Sequence, residues 1–83
     1  MPKRRRGDDG KVSKAFGTAL RARRAVLGLS QESLAERAGL DRTYVGGLER
    51  GERNPTLQVI WLLAESLEVP ASELLSDAED LLS

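Results

Sequence analysis

Arg42 and Thr43 open a short stretch, residues 42–50, whose apolar side chains Val45 and Leu48 recur at helical spacing. With that apolar face buried, the opposite face shows solvent Arg42, Thr43, Gly46, Gly47 and Arg50. A guanidinium fork beside a hydroxyl, at the exposed N-terminal end of a helix, carries the donors that base edges in a DNA major groove accept. Other chemistries lack their parts. The chain has no Cys and no His, which removes disulfides, thiol catalysis, imidazole acid–base chemistry and the usual zinc ligands. No nucleophile–base pair can be assembled, and the carboxylates read as helix surface and caps. No enzyme, metal site or cofactor is therefore expected.

The charge is distributed as a nucleic-acid reading requires. The 83 residues sum to zero, but residues 1–53 hold all 13 basic residues against 7 acidic ones, while residues 54–83 hold 6 acidic residues and no basic one. The basic excess thus falls on the part that carries Arg42, where a polyanion belongs. No apolar run approaches the roughly 20 residues of a membrane span. The basic start with Lys3, Arg4, Arg5 and Arg6 is not followed by the apolar stretch of a secretory signal, so a cytoplasmic protein without a membrane partner is expected. The length allows one domain, marginally stable alone, for which self-association is the expected supplement.

Five helices must position these residues. Residues 1–12 carry little to bury and read as a flexible basic arm, whose Lys3, Arg4, Arg5 and Arg6 serve equally well as DNA contacts or as a solubilising tail. From Ser13 a helical period sets in, with Phe16, Leu20 and Leu27 on one face and Gly28 as a stop. Ser30 caps a helix over residues 31–38, Gly39 ends it, and Asp41 caps the next. Asn54-Pro55 interrupts the pattern, Thr56 caps a helix over 57–67, and a short helix fits 71–75. In the fourth helix Leu57, Ile60, Ala64 and Leu67 form the expected buried stripe. The folded unit is thus expected over residues 13–76, followed by an acidic tail over 77–83. No segment alternates as a strand would, so the fold class is all-α, a compact five-helix bundle.

Two short helices joined by a turn of about four residues containing Gly39 make a helix-turn-helix. Leu34, Ala35, Ala38, Val45 and Leu48 fill the space between them and the first helix, and Glu49 reads as a structural partner of a nearby Arg. The segment Ser30-Gln31-Glu32-Ser33-Leu34-Ala35, then Gly39, Tyr44-Val45, Leu48-Glu49-Arg50-Gly51 and Asn54-Pro55, closely resembles the Cro-type (XRE) helix-turn-helix family of phage repressors and small bacterial regulators. The resemblance covers about residues 14–75. Leu40-Asp41-Arg42-Thr43-Tyr44 with Arg53-Asn54 is further similar to the controller proteins of restriction–modification systems.

What this resemblance implies is a transcriptional regulator that binds double-stranded DNA at a (pseudo)palindromic operator. Gln31 would bond a phosphate and brace the recognition helix. Arg42 and Thr43 would read bases, while Tyr44, Arg50, Arg53 and Asn54 would lie along phosphates or the groove edge, with the backbone at Gly46 and Gly47 in close approach. RNA polymerase would be a further partner if the regulator activates. A repressor of phage or plasmid type, an antitoxin, and a protein-interaction module without DNA binding stand as alternatives.

One such helix offers too few base contacts to select a site within a genome, so a homodimer is expected. The apolar surplus lies C-terminal, around Val59, Trp61, Leu62, Val69 and Leu74, in the segment without basic residues. The expected dimer seam is placed there, and the controller proteins that the chain resembles pair through their C-terminal helices.

Overall fold

The computed structural model describes residues 9–83. Among these the chain forms five helices and no strand: α1 (Asp9–Val26), α2 (Gln31–Ala38), α3 (Arg42–Glu49), α4 (Leu57–Ser66) and α5 (Ala71–Leu82). The all-α expectation holds. Lys3, Arg4, Arg5 and Arg6 lie outside the described residues.

Helix α1 starts before Ser13, and the reason is visible at Ser13 itself. Residues 9–12, expected in the arm, are helical, and Ser13 is buried within α1, where its hydroxyl donates to Asn54 Oδ1 in the loop before α4. Ala15, Phe16, Ala19 and Leu20 form the buried face. Leu27, expected on that face, lies past the last helical residue and is exposed. Gly28 turns the chain at φ 68°, and Leu29 packs against the core instead. Its N–H closes the helix end by donating to the Arg24 carbonyl at 3.0 Å.

The short helices end where local chemistry puts their ends. Ser30 Oγ accepts from the Ser33 N–H at 3.0 Å, and Asp41 Oδ1 from the Thr43 N–H at 2.8 Å. Thr56 Oγ1 accepts from the Val59 N–H at 3.1 Å. Each cap satisfies an otherwise orphaned N–H. Gly39 sits at φ 71°, open to Gly without steric cost, and leads from α2 into α3.

Two C-terminal expectations are corrected. The buried stripe of α4 is Leu63, Ala64 and Leu67 with Ile60 half-buried, whereas Leu57 is 68% exposed. At 100° per residue Leu57 lies at the edge of that stripe, on the first turn, where no neighbouring helix covers it. The acidic tail over 77–83 is also not separate, because α5 continues through Leu82. Ala71, Leu74 and Ala78 face inward at helical spacing, and Arg23 of α1 reaches across to α5. Its Nε donates to Asp77 Oδ2 at 2.6 Å, and its Nη2 stands 3.1 Å from Glu73 Oε2.

Helix α3 packs on α1 and α2, α4 on α2 and α5, and α5 on α1. Leu20, Leu34, Leu48, Leu63 and Leu74 are fully buried at the shared centre. Each such side chain contributes about 1.5–3 kcal/mol through burial.

Candidate nucleic-acid interface

The inner faces of α2 and α3 are fixed by Leu34, Ala35, Ala38, Val45 and Leu48, all buried. That leaves the start of α3 outermost. Arg42 and Thr43 are exposed, and Arg42 makes no ion pair or side-chain hydrogen bond among the described residues. An uncommitted guanidinium on the first turn of a rigid helix has its donors available to a ligand.

Beside it, Gln31 is held by a buried electrostatic node. Its Nε2 donates to Glu49 Oε1 at 2.9 Å. Arg24 of α1 grips the same carboxylate at both oxygens, with Nε on Oε2 at 2.7 Å and Nη2 on Oε1 at 3.0 Å, while its Nη1 donates to the Leu29 carbonyl at 2.7 Å. One node thus ties α1, α2 and α3 together and fixes the amide of Gln31 at the start of α2. The side chain of Glu49 is only 3% exposed. Burial alone would push its carboxyl up, but the hydrogen bonds from Arg24 and Gln31 and the charge of Arg24 outweigh it, and the group titrates below its ordinary value of 4.5.

A stability prediction follows from that sign. A carboxylate with a lowered folded pKa adds stability that is complete above its unfolded pKa and is lost as pH falls through the folded one. Glu49→Gln should therefore cost about 2 kcal/mol at pH 7, since it leaves Arg24 without its counter-charge. The gap to wild type should narrow as pH drops below 4.5. Urea midpoints of the two proteins between pH 7 and pH 3 check this; a gap independent of pH would show that the charge of Glu49 adds nothing.

The middle of α3 differs from expectation. Gly46 and Gly47, expected at the surface in close approach to a ligand, are buried beneath side chains. A Cβ at Gly46 would stand 3.1 Å from Arg50 Nη1 and 3.4 Å from Gln31 Oε1, and one at Gly47 would meet Arg53 Cγ at 2.9 Å. The missing side chains are the room in which Arg50 and Arg53 lie. Arg53 continues over half-buried Tyr44, its guanidinium carbon 5.8 Å from the ring centroid, and Arg50 Nε pairs with Glu52 Oε2 at 3.2 Å. Asn54 has its side-chain oxygen committed to Ser13, so it anchors the loop to α1 beside any ligand contact it makes.

The structure brings Gln31, Arg42, Thr43, Tyr44, Arg50 and Arg53 onto α3 and its borders, and divides the expected seam. Trp61 is 58% exposed; Val59, Leu62 and Val69 are half-buried against the core; and Leu74, at 0% exposure, belongs to the core of the single chain. Leu74 is therefore corrected from seam to core, because the inner stripe of α5 runs through it. Leu57 stands with Trp61 and Leu62 along one open apolar groove. Gly17 supports the site without any mark in the sequence, whereas the Arg expected to pair with Glu49 is now identified as Arg24. Gly17 lets α1 touch the end of α3, and Arg24 holds Glu49 from 25 residues away.

Comparison with known proteins agrees with this geometry, as a helix-turn-helix model matches residues 20–74. The chain belongs to the helix-turn-helix family. Its relatives include the control protein C.SmaI of Serratia marcescens, 47% identical over 65 residues that make up 78% of this chain and 77% of that protein. The crystal structure of the restriction–modification controller protein C.AhdI from Aeromonas hydrophila matches with a TM-score of 0.74 at 52% identity, covering 75% of this chain and 94% of that one. The controller protein C.Esp1396I, solved as a tetramer in complex with its natural 35 base-pair operator, matches with a TM-score of 0.78 at 30% identity, over 87% and 96% of the two chains. In this helix-turn-helix protein α2 and α3 are the two helices of the motif, and α3 stands as its recognition helix.

Proposed function

We propose that this helix-turn-helix protein is a sequence-specific DNA-binding transcriptional regulator, acting in the cytoplasm as a homodimer on a (pseudo)palindromic operator and controlling restriction–modification genes. The observation that carries this reading is the exposed pair Arg42 and Thr43, without side-chain partners among the described residues, at the outer end of a helix packed on α1 and α2. The restriction–modification controller proteins C.AhdI and operator-bound C.Esp1396I support the class of genes and the ligand. In this reading Gln31, braced by Glu49, donates its second amide hydrogen to a phosphate. Tyr44 and Arg53 bind along the backbone, which sets register, while Arg42 and Thr43 sample base edges.

The test is readout at a single base pair. Arg42→Ala should weaken binding to the preferred site by about 1–3 kcal/mol and flatten the preference at one position per half-site. Competition of preferred and scrambled duplexes measures it. Equal loss on both duplexes would make Arg42 a phosphate contact and overturn the assignment.

A further inference from the structure

The middle of α3 has no side chain of its own, yet a guanidinium occupies it. We propose that Arg50 is a second base-reading residue, seated on Gly46 and aimed by Glu52. This rests on the DNA-binding reading above and deepens it, since expectation placed Arg50 along phosphates or the groove edge.

Arg42, Gly46 and Arg50 are spaced four residues apart and share one face of the helix and its C-cap. The side chain of Arg50 runs back along that face. Its Nε is held by Glu52 Oε2 at 3.2 Å, and its Nη1 comes to 3.1 Å from the point where a Cβ on residue 46 would stand. Gln31 Oε1 lies 3.4 Å from the same point, so that spot is walled on two sides. A methyl group at 46 would press on both and move the guanidinium outward by a few tenths of an ångström, so glycine gives the closest seat.

The pose has a chemical consequence. With Nε facing the Glu52 carboxylate in an exposed ion pair, the edge of Arg50 turned to a ligand is its end fork, Nη1 and Nη2. That fork matches the paired acceptors O6 and N7 of a guanine in the major groove. The Arg50 side chain is 57% exposed, so the fork is reachable. Drawn back over Gly46, it sits about 6 Å, one helical turn, from the level of Arg42. At 3.4 Å per base step that is roughly two base pairs. Arg53 is differently placed, its stem on Gly47 and its charge over Tyr44, which suits a phosphate.

Selection of bound duplexes from a random pool tests the proposal, with wild type, Arg50→Lys, Gly46→Ala and Arg42→Ala run in parallel. Arg50→Lys keeps the charge and loses the fork. It should reduce the preference at one position, about two base pairs from the position that depends on Arg42, by about 5- to 150-fold. Its affinity for random DNA and the slope of that affinity against salt should stay as in wild type, because a lysine meets phosphates equally well. Gly46→Ala gains helix propensity, so it folds. Its methyl group shifts the guanidinium by a few tenths of an ångström and should weaken preference at the same position, less than Arg50→Lys does. A motif that survives Arg50→Lys at every position overturns the proposal and leaves the role of Arg42 standing. A wild-type protein that enriches no motif overturns the DNA-binding reading, and this inference with it.

Discussion

Gly17→Ala is expected to lower the melting temperature by about 12–24 °C. Two effects oppose each other at this site. Alanine in a helix interior gains about 1 kcal/mol over glycine. Against that, a Cβ at Gly17 would lie 2.3 Å from the Leu48 carbonyl oxygen and 2.6 Å from that of Glu49. Both are backbone atoms at the end of α3, so no side-chain rotation relieves them, and α1 and α3 must move apart. Phe16 and Leu20, buried on the same face of α1, would lose their packing with them. Overpacking of a tight core costs about 1–3 kcal/mol and occasionally more; rigid backbone on both sides puts the net cost near 3. In a domain of this size that is most of the available stability. Gly10→Ala is the matched control, since nothing lies within 4 Å of its Cβ position. It should hold or slightly raise the melting temperature. Thermal unfolding followed by circular dichroism checks both, and a Gly17→Ala protein melting within a few degrees of wild type would mean that α1 and α3 separate at little cost.

Gly17 also marks what a reader of the sequence can and cannot reach. The caps Ser30, Asp41 and Thr56, the stop at Gly39 and the inward set Leu34, Ala35, Ala38, Val45 and Leu48 depend on neighbours within one or two turns. All were legible. Gly17 depends on a backbone 31 residues away, and nothing local distinguishes it from an incidental glycine. The same distance hides the Arg23–Asp77 pair, which separates by 54 residues and makes α5 continuous where acidic composition alone reads as a loose tail. Glu68 adopts φ 63° at the end of α4 without being a glycine, so the usual sign of a helix stop is missing there. The site divides similarly. Residue types told which side chains face outward from α3, but not that Gly46 and Gly47 are roofed by side chains from positions 31, 50 and 53. Long flexible side chains choose their resting place by charge and space in three dimensions.

Trp61→Glu is expected to give a folded monomer that has lost most of its operator affinity. The structure sharpens this choice among the expected seam residues. Leu74 is fully buried, so a charge there unfolds the chain and tests nothing about association. Trp61 is 58% exposed and Leu57 68%, and together with Leu62 they line an apolar groove on α4 left open among the described residues. An isologous seam along this groove would join two copies through α4, and α3, which packs on α1 and α2, would stay free to read DNA. Such a seam would set two recognition helices about 34 Å apart, the spacing of successive major grooves. A glutamate at position 61 adds one carboxylate per copy beside Glu65, one helical turn on, and the seam then brings like charges together in an apolar setting. Wild type should sediment as a dimer at about 10 μM and the variant as a monomer, with unchanged helical content. Linking two half-site readers multiplies affinity by about 10²–10⁴, so the variant should bind the full operator at least 100-fold more weakly. Its affinity for a single half-site should equal that of the wild-type monomer, because Arg42 and Gln31 are untouched. A variant that stays dimeric would move the seam elsewhere, and a wild-type monomer with full operator affinity would overturn the dimer altogether.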